Sequence, residues 1–306
     1  MDKKILVTGG SGMVGRSLKD IIPNATYLSS KDCDLTNEGE VLSLMTNNKY
    51  DVVIHLAARV GGIIDNINNP AEYFDENIQM NTNILKWSRI TGVERFIGIL
   101  STCIYPDKVD TYPMTEDMLH LGPPTPTNFS YAYAKRCLAV QIDAYNKQYG
   151  TKYQYLTPCN LYGQYDKWGE NSHFVAALIK KIMYAHANGE ETVKLFGTGK
   201  PLRQFMHSDD LAKIIKLCID ENIYDSFNVA TEENISISEI AEIARKIISP
   251  DVVKKFEYDL TKPDGQYRKD VSIDKLRQSI PHFKTKTLEE GIEETFNYLK
   301  NNLITL

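Results

Sequence analysis

The chain has 306 residues with 42% hydrophobic residues and a formal net charge of −5, which is enough for one large α/β domain or two closely packed ones. Basic blocks or aromatic-basic alternation that would indicate a nucleic-acid surface do not occur. Apolar runs stay below the roughly 18–20 residues that span a membrane. Five cysteines, an odd number without a CxxC pair, favour a reducing cytoplasm over a disulfide framework or a zinc cluster. We therefore expect a cytoplasmic protein without a metal site, nucleic-acid partner or membrane segment.

The first predicted element is a short apolar strand that runs directly into glycines at positions 9, 12 and 15. Gly10-x-Gly12-x-x-Gly15 and Gly9-x-x-Gly12-x-x-Gly15 both fit dinucleotide-binding patterns. Glycine is required there because a side chain would block the turn or keep the backbone away from a phosphate. The helix that follows directs free N–H groups and a positive dipole end at that phosphate. The pattern predicts a dinucleotide site.

Strand-like runs alternate with helical patterns through the first half of the chain. The predicted strands cover residues 4–8, 26–28, 52–57, 96–101 and 154–158, and the predicted helices cover residues 16–22, 41–47, 74–91 and 131–149. Such alternation predicts an α/β fold, a Rossmann-type doubly wound parallel sheet with helices on both faces. Ligands bind outside the carboxyl ends of such strands, so functional residues are expected directly after each strand.

The second half of the chain has a different pattern. We predict a loop from residue 166, a basic helix over 175–187, a glycine-rich hairpin over 194–200, a sheet strand over 227–230, a helix over 239–248 capped by Ser236 or Ser238, and short segments from 255 that end in an amphipathic helix. This organisation predicts a dinucleotide-binding domain over 1–165, to which the chain returns at about 202–230. A smaller, interleaved α+β substrate-binding lobe is predicted over 166–306, mainly 166–200 and 231–306.

The residues after the second strand bear on the choice of dinucleotide. NAD-binding proteins usually place an acidic residue there to hold the ribose 2′-hydroxyl. Here Ser29 and Ser30 are followed by Lys31, and these donors suit a 2′-phosphate, whereas Asp34 and Leu35 could flank the adenine. Lys31 as an ordinary solvated lysine is the alternative. The pattern favours NADP(H).

A candidate catalytic group begins the helix predicted over 131–149. Tyr131 and Lys135 are four residues apart, so they lie on one helical face. A tyrosine with an ordinary pKa of about 10 is a slow acid–base group at neutral pH, and a nearby ammonium together with an oxidised nicotinamide lowers that pKa. Ser101, at the end of the fourth strand, provides a hydroxyl that can hold a substrate carbonyl beside the tyrosine.

These residues carry a resemblance to a known superfamily. TGGSGMVG at 8–15, LAA at 56–58, LSTCIYP at 100–106, YAYAK at 131–135 and RQF at 203–205 resemble the extended short-chain dehydrogenase/reductases. Within it the chain is most similar to the GDP-L-fucose synthase family, through VGG at 60–62, GPP at 122–124, NLYG at 160–163, NSH at 171–173, FGTGKPLRQF at 196–205 and KPDGQYRK at 262–269. STCIYP, NSH and KPDG together are specific to this branch.

The resemblance implies a role for each matching position. Ser101, Tyr131 and Lys135 match the reductase triad, and Cys103 and His173 match the pair that moves protons during epimerisation. Positions implied to contact the GDP-sugar are Asn160, His173, Lys181, Phe196, Arg203, Asp264 and Lys269. Positions expected to contact the cofactor are Gly9, Gly12, Met13, Val14, Gly15, Lys31, Leu56, Ala57, Ala58, Leu100, Tyr131, Lys135, Pro158, Asn160 and Leu161. The remaining five histidines receive no role.

The resemblance also implies a reaction and an assembly. The implied enzyme uses NADPH to convert GDP-4-keto-6-deoxy-D-mannose to GDP-L-fucose, by epimerisation at C3 and C5 and reduction at C4. Cys103 would remove a proton next to the ketone, and His173 would return one from the opposite face. Relatives dimerise through a four-helix bundle, so a homodimer through the helices over 74–91 and 131–149 is expected.

The chain departs from the family pattern after NLYG, where proline and then Asp-Asn-Phe are usual. Gln164-Tyr165-Asp166-Lys167-Trp168 stands there instead, in a loop expected to border the sugar. The hexose is therefore open, and a C4-only reductase of a GDP-4-keto-6-deoxy-sugar such as a heptose is the alternative. A 4,6-dehydratase would need an acidic pair at positions 103 and 104, and a UDP-sugar 4-epimerase needs no Cys/His pair and favours tightly held NAD. A non-catalytic dinucleotide-sensing module is the distant alternative.

Overall fold

The computed structural model describes residues 3–169, 172–262 and 264–302. Its strands are β1 (Ile5–Thr8), β2 (Thr26–Leu28), β3 (Val52–His55), β4 (Arg95–Ile99), β5 (Gln154–Pro158), β6 (Asn160–Tyr162), β7 (Thr192–Phe196), β8 (Leu202–Arg203), β9 (Phe205–His207), β10 (Phe227–Val229), β11 (Ile235–Ser236) and β12 (Lys255–Asp259). Its α-helices are α1 (Met13–Ile21), α2 (Glu38–Asn48), α3 (Ile63–Asn68), α4 (Pro70–Ile90), α5 (Phe129–Tyr149), α6 (Phe174–Asn188), α7 (Ser208–Asp220), α8 (Ile237–Ile248), α9 (Asp274–Ser279) and α10 (Leu288–Asn302). Among the described residues, no helix has the length and apolar character needed to cross a bilayer.

The centre of the molecule is a six-stranded sheet in the order β10-β5-β4-β3-β1-β2, with every pairing parallel. All residues of β3 and β4 are buried, because helices cover both faces of a parallel sheet. The predicted Rossmann-type doubly wound sheet is confirmed. Helix α1 begins at Met13, three residues before its predicted start, directly after the glycine turn.

A second buried apolar cluster lies outside this sheet. It joins α6, α8 and α10 with β7, and its members include Val175, Ile179, Val193, Ile240 and Ile292. β7 pairs in parallel with β12, along Thr192–Phe196 and Lys255–Asp259. The second cluster is therefore built from chain segments that lie before and after β10, the last strand of the central sheet.

The hairpin predicted over 194–200 is wrong. Gly197 and Gly199 do form a turn with positive φ, of 75° and 73°, which is the signal that suggested a hairpin. The chain leaves this turn into β8, which pairs antiparallel with β11, while β7 takes β12 as its partner. A Cβ on Gly199 would lie 2.4 Å from Tyr258 Cε1 of β12, so this glycine also permits close packing between turn and strand.

Helix α8 shows which of two predicted caps is used. Ser236 is the N-cap, and its hydroxyl accepts the Glu239 N–H while Glu239 accepts the Ser236 N–H at 2.8 Å. This reciprocal pair satisfies two N–H groups that the first helical turn leaves free. Ser238 instead lies inside the first turn.

Candidate active site

Three of the four glycines in the turn after β1 are packed against neighbouring atoms, and the remaining one, Gly12, is exposed. A Cβ on Gly9 would lie 2.8 Å from Ala57 N, one on Gly10 2.7 Å from Tyr27 Cβ, and one on Gly15 2.6 Å from Gly10 Cα. Gly12 is the N-cap of α1, and a Cβ added to it would lie 3.2 Å from Gly9 O, its one contact within 4 Å among the described residues. The first helical turn then starts with Met13 and Val14. This cradle fits a pyrophosphate, because the backbone can approach it closely at the positive end of the helix.

The loop after β2 carries two carboxylates, Asp32 and Asp34, and the exposed ammonium group of Lys31. Asp32 Oδ2 accepts hydrogen bonds from Ser29 N at 2.8 Å and Ser29 Oγ at 2.6 Å, and these bonds lower the pKa of Asp32. Ser30 and Lys31 are exposed beside it. Leu35, expected near an adenine, is buried in the core. The loop thus presents Lys31 to a ribose 2′-phosphate, while Asp32 is engaged with Ser29 and Asp34 with Thr36.

The end of β3 lies beside the glycine turn. Leu56, Ala57 and Ala58 follow the strand, and Leu56 N donates to Thr8 O at 3.2 Å. His55 is buried, with Nδ1 2.8 Å from Thr8 Oγ1 and Nε2 2.9 Å from Asn81 Oδ1. Burial lowers the pKa of His55 to about 3, so it is a neutral core histidine that links β1, β3 and α4.

The candidate catalytic residues come from the end of β4 and the start of α5. Ser101 follows β4 by two residues and opens a 3₁₀ turn over Thr102–Ile104, with its Oγ 3.4 Å from Cys103 N. Tyr131 and Lys135 lie in the first two turns of α5. Lys135 Nζ donates to Ile99 O at 2.7 Å, and this buried bond ties the helix to the strand end that carries Leu100 and Ser101.

The charges of this group act on one another. Burial raises the pKa of Tyr131, and the neighbouring Cys103 raises it further. Burial also raises the pKa of the Cys103 thiol, whereas Lys269, Ser101 and Lys135 lower it. The structure therefore brings a phenol, a thiol, a hydroxyl and two ammonium groups within electrostatic reach of one another.

His173 lies at the start of α6 as its N-cap residue. Its Nδ1 is 2.7 Å from Asp166 Oδ1, in the loop after β6. This hydrogen bond raises the pKa of His173, and burial opposes it. The sequence gives no sign of the pair, because its members are seven positions apart and no helical or strand periodicity relates them.

The predicted GDP-sugar contacts surround β7 and the segment after β12. Lys181 Nζ donates to Lys194 O at 3.0 Å and lies 4.8 Å from the centroid of the exposed Phe196 ring. Such a ring beside an ammonium group can stack a nucleobase. Asp264 accepts hydrogen bonds from Thr198 N and Oγ1, at 2.6 and 2.7 Å.

Two further cations lie between this surface and the catalytic group. Burial lowers the pKa values of Arg203 and Lys269. Asp264 acts on Arg203, while Arg203 and Cys103 act on Lys269. Two neighbouring cations suit a diphosphate.

The remaining predicted contacts lie at the end of β5 and the start of β6. Pro158 ends β5, and Asn160 and Leu161 begin β6. Asn160 Nδ2 donates to Gln204 O at 2.9 Å. Asn171 and Pro263, which belong to two of the quoted motifs, lie outside the described residues.

The described residues contain one group of potential metal ligands, and the ammonium group of a lysine contacts all three of them. His207, Asp209 and Glu294 have ligand atoms close together. Lys286 Nζ lies 3.4 Å from His207 Nδ1 and 3.3 Å from Asp209 Oδ2, and it also bonds Glu294. The ammonium group therefore stands where a cation would neutralise the carboxylates.

Comparison with known proteins agrees with this geometry. Residues 5–230 match the model of the NAD dependent epimerase/dehydratase family. The GDP-L-fucose synthase of Dictyostelium discoideum is 37% identical, over 99% of this chain and 97% of that protein. The GDP-L-colitose synthase of Yersinia pseudotuberculosis is 36% identical, over 97% and 98%.

Solved structures are similar over nearly the whole chain. A GDP-L-fucose synthetase from Naegleria fowleri, crystallised with NADP, superimposes with a TM-score of 0.89 at 34% identity and covers 99% of this chain and 94% of its own. A GDP-6-OMe-4-keto-L-xylo-heptose reductase from C. jejuni has the same TM-score at 23% identity, over 98% of each chain, and shares the fold. The chain belongs to the NAD dependent epimerase/dehydratase family, and within it to the group that contains the GDP-L-fucose synthases.

Proposed function

We propose that this protein is an NADPH-dependent enzyme that epimerises GDP-4-keto-6-deoxy-D-mannose at C3 and C5 and reduces it at C4 to GDP-L-fucose. The observation that carries the proposal is the meeting of Ser101, Tyr131 and Lys135 with the thiol of Cys103 at the end of β4. A reductase alone needs the first three residues. The thiol adds a base for C–H chemistry beside the same carbonyl. Relatives named GDP-L-fucose synthase, at 36–37% identity, support this assignment.

The cofactor assignment rests on the glycine turn and on Lys31. Gly12 is exposed at the start of α1, where a pyrophosphate can approach the backbone, and Lys31 after β2 matches a 2′-phosphate by charge. When bound, NADPH supplies the hydride for C4. The GDP-L-fucose synthetase crystallised with NADP supports the same choice.

The epimerisation uses the ketone at C4, which acidifies the hydrogens on C3 and C5. Cys103 takes a proton as thiolate; burial raises the pKa of its thiol, and the ammonium groups of Lys269 and Lys135 act against that rise. Tyr131 and Ser101 stabilise the enolate oxygen at C4. His173 returns a proton from the opposite face, which inverts the centre.

The reduction uses the same oxygen site. Tyr131 donates its phenolic proton to the C4 oxygen as that carbon becomes an alcohol. Lys135 stays fixed by its bond to Ile99 O and stabilises the phenolate that results. One set of residues thereby serves both reactions.

We further propose that residues 166–200 and 231–306 form most of the substrate lobe, and that residues 1–165 with about 202–230 form the cofactor domain. The second apolar cluster supports this division, since its members lie mainly in those segments. All five cysteines are free thiols, which supports a cytoplasmic location.

A homodimer through α4 and α5 is also proposed. Phe74 and Tyr133 are exposed apolar residues on this surface, and Val140 is 49% exposed. An open cavity of about 450 Å³ lies there, lined in part by Phe74, Phe129 and Tyr133. An exposed apolar surface of this kind marks a site of association.

A C4-only reductase is the second candidate, because the loop over 164–168 departs from the family pattern. One experiment separates the two. The protein is incubated with GDP-4-keto-6-deoxymannose in D2O, with and without NADPH, and the sugar is followed by NMR. Deuterium at C3 and C5 without NADPH, and GDP-L-fucose with it, are expected.

Variants assign the steps to residues. Tyr131→Phe should lower C4 reduction by at least about 100-fold, and Cys103→Ser should remove deuterium exchange. Cys137→Ser, at a half-buried thiol of α5, is the matched control and should keep both activities. Reduction without exchange would establish the C4-only reductase, and absence of any reaction would overturn the proposed function.

A further inference from the structure

His173 is held through one ring nitrogen by a buried carboxylate. The Asp166 side chain is 1% exposed, and its Oδ1 lies 2.7 Å from His173 Nδ1. The same oxygen accepts the Lys167 N–H at 2.7 Å. An ionised carboxylate can only accept, so Nδ1 is the protonated nitrogen. The other ring nitrogen, Nε2, is free to contact a ligand, because the His173 side chain is 53% exposed.

The loop that carries Asp166 is fastened on both sides of this residue. Before it, Tyr165 donates to Asp20 Oδ2 at 2.9 Å, and the Arg16 guanidinium lies 4.0 Å from its ring centroid. After it, Lys180 Nζ donates to Trp168 O at 2.7 Å. These bonds connect the loop to α1 and α6, so Asp166 has a fixed position relative to both helices.

Electrostatics favours the protonated imidazole. The hydrogen bond and the charge of Asp166 raise the pKa of His173, while burial and the ammonium of Lys167 lower it, with the net direction upward. Asp166 and Lys167 are the charged groups that act on this ring among the described residues. Asp166 Oδ2 is buried and has no hydrogen-bond partner in the described part of the chain, so His173 is the one side chain that hydrogen-bonds this carboxylate there.

We propose that Asp166 is a positioning residue for the proposed epimerisation: it holds Nδ1–H of the His173 imidazolium and so orients the ring with Nε2–H facing the sugar. In the step it supports, the Nε2–H bond breaks and its electron pair stays on nitrogen. The new C–H bond forms with the electron pair of the enolate, and the C4 ketone is restored. Asp166 remains ionised throughout, as in other carboxylate–histidine pairs. The inference rests on the proposed function for its substrate.

The first test is the titration of His173 in Asp166→Asn, measured by NMR of the full-length protein with labelled histidine. Asparagine can keep the hydrogen bond but removes the charge. We expect the pKa of His173 to fall by about one unit or more, because the attraction that favours the imidazolium is lost. An unchanged pKa would overturn the inference, whatever the substrate proves to be.

The second test is the pH profile of deuterium exchange into GDP-4-keto-6-deoxymannose. A histidine acid loses activity as pH rises through its pKa, so the alkaline limb of Asp166→Asn should lie at lower pH than in the unaltered protein. Exchange at pH 7.5 should fall about 10-fold, with part of it regained at pH 6 and KM little changed. Lys167→Gln, which keeps the carboxylate, should stay within about two-fold of the unaltered protein.

A double variant separates positioning from a general effect on folding. His173→Gln should remove most exchange by itself, and adding Asp166→Asn should then cost little more, because the carboxylate acts through the imidazole. Equal losses from Asp166→Asn with and without His173 would overturn the inference. If the unaltered protein shows no exchange at all, the proposed function fails, and the titration still decides whether Asp166 controls His173.

Discussion

Lys135 is the buried cation of the catalytic group, and its surroundings set the pH range in which it is charged. Its ammonium is removed from water and donates to Ile99 O. Burial lowers its pKa to about 8, with Cys103 acting in the opposite direction. The side chain is therefore a cation below about pH 8 and loses its charge as pH rises through that value.

We expect C4 reduction to decline on the alkaline side with an apparent pKa near 8. The loss follows from the sign of the titration, since neutral Lys135 no longer stabilises the Tyr131 phenolate. The measurement is kcat/KM against pH, which reports the free enzyme. Lys135→Met should reduce kcat/KM by about 100-fold, and its pH profile should no longer decline near pH 8. The same decline in that variant would contradict the assignment to Lys135.

Ser236 caps helix α8 and accepts one N–H of its first turn, that of Glu239. Ser236→Ala removes the hydroxyl that accepts the Glu239 N–H, so we expect the free energy of unfolding to fall by about 1 kcal/mol. Ser238→Ala is the matched control, because that residue lies inside the helix and does not cap it. Denaturant unfolding of both variants tests the assignment, and equal losses would contradict it.

The elements that the sequence predicts well are those whose pattern has one structural meaning. β3 and β4 are continuous apolar runs because both faces of the sheet are covered. β12 escapes prediction because its sequence KFEYD is charged and largely accessible. The glycines at 197 and 199 indicate a turn but carry no information on which strand β7 will pair with.

The same distinction holds at the candidate site. Tyr131 and Lys135 are predictable because helical geometry alone places residues four apart on one face. Asp166 is not, since the contact with His173 depends on how the loop after β6 folds. In that loop Tyr165 contacts Arg16 and Asp20 of α1, while Asp166 contacts His173.

The proposed homodimer would form through the exposed apolar surface of α4 and α5. Val140→Glu places a charge where the proposed dimer would exclude water, so the dimer dissociation constant should rise by about 100-fold. Sedimentation velocity over a range of concentrations measures it. Leu260→Glu, at an exposed leucine after β12, should leave the oligomeric state unchanged. A dimer of unaltered affinity in Val140→Glu would show that this surface is not the interface.

The parallel pairing of β7 with β12 has a consequence for folding during synthesis, because β7 leaves the ribosome well before its partner strand. β12 is synthesised about 60 residues after β7, and α10, which closes the second apolar cluster, follows later still. The central sheet has all six strands once Val229 has emerged. Until β12 has been synthesised, β7 lacks its partner strand and presents an unpaired edge that can pair with other chains. Premature termination at about residue 250, before β12, should therefore yield an aggregating product, although that chain already contains every strand of the central sheet.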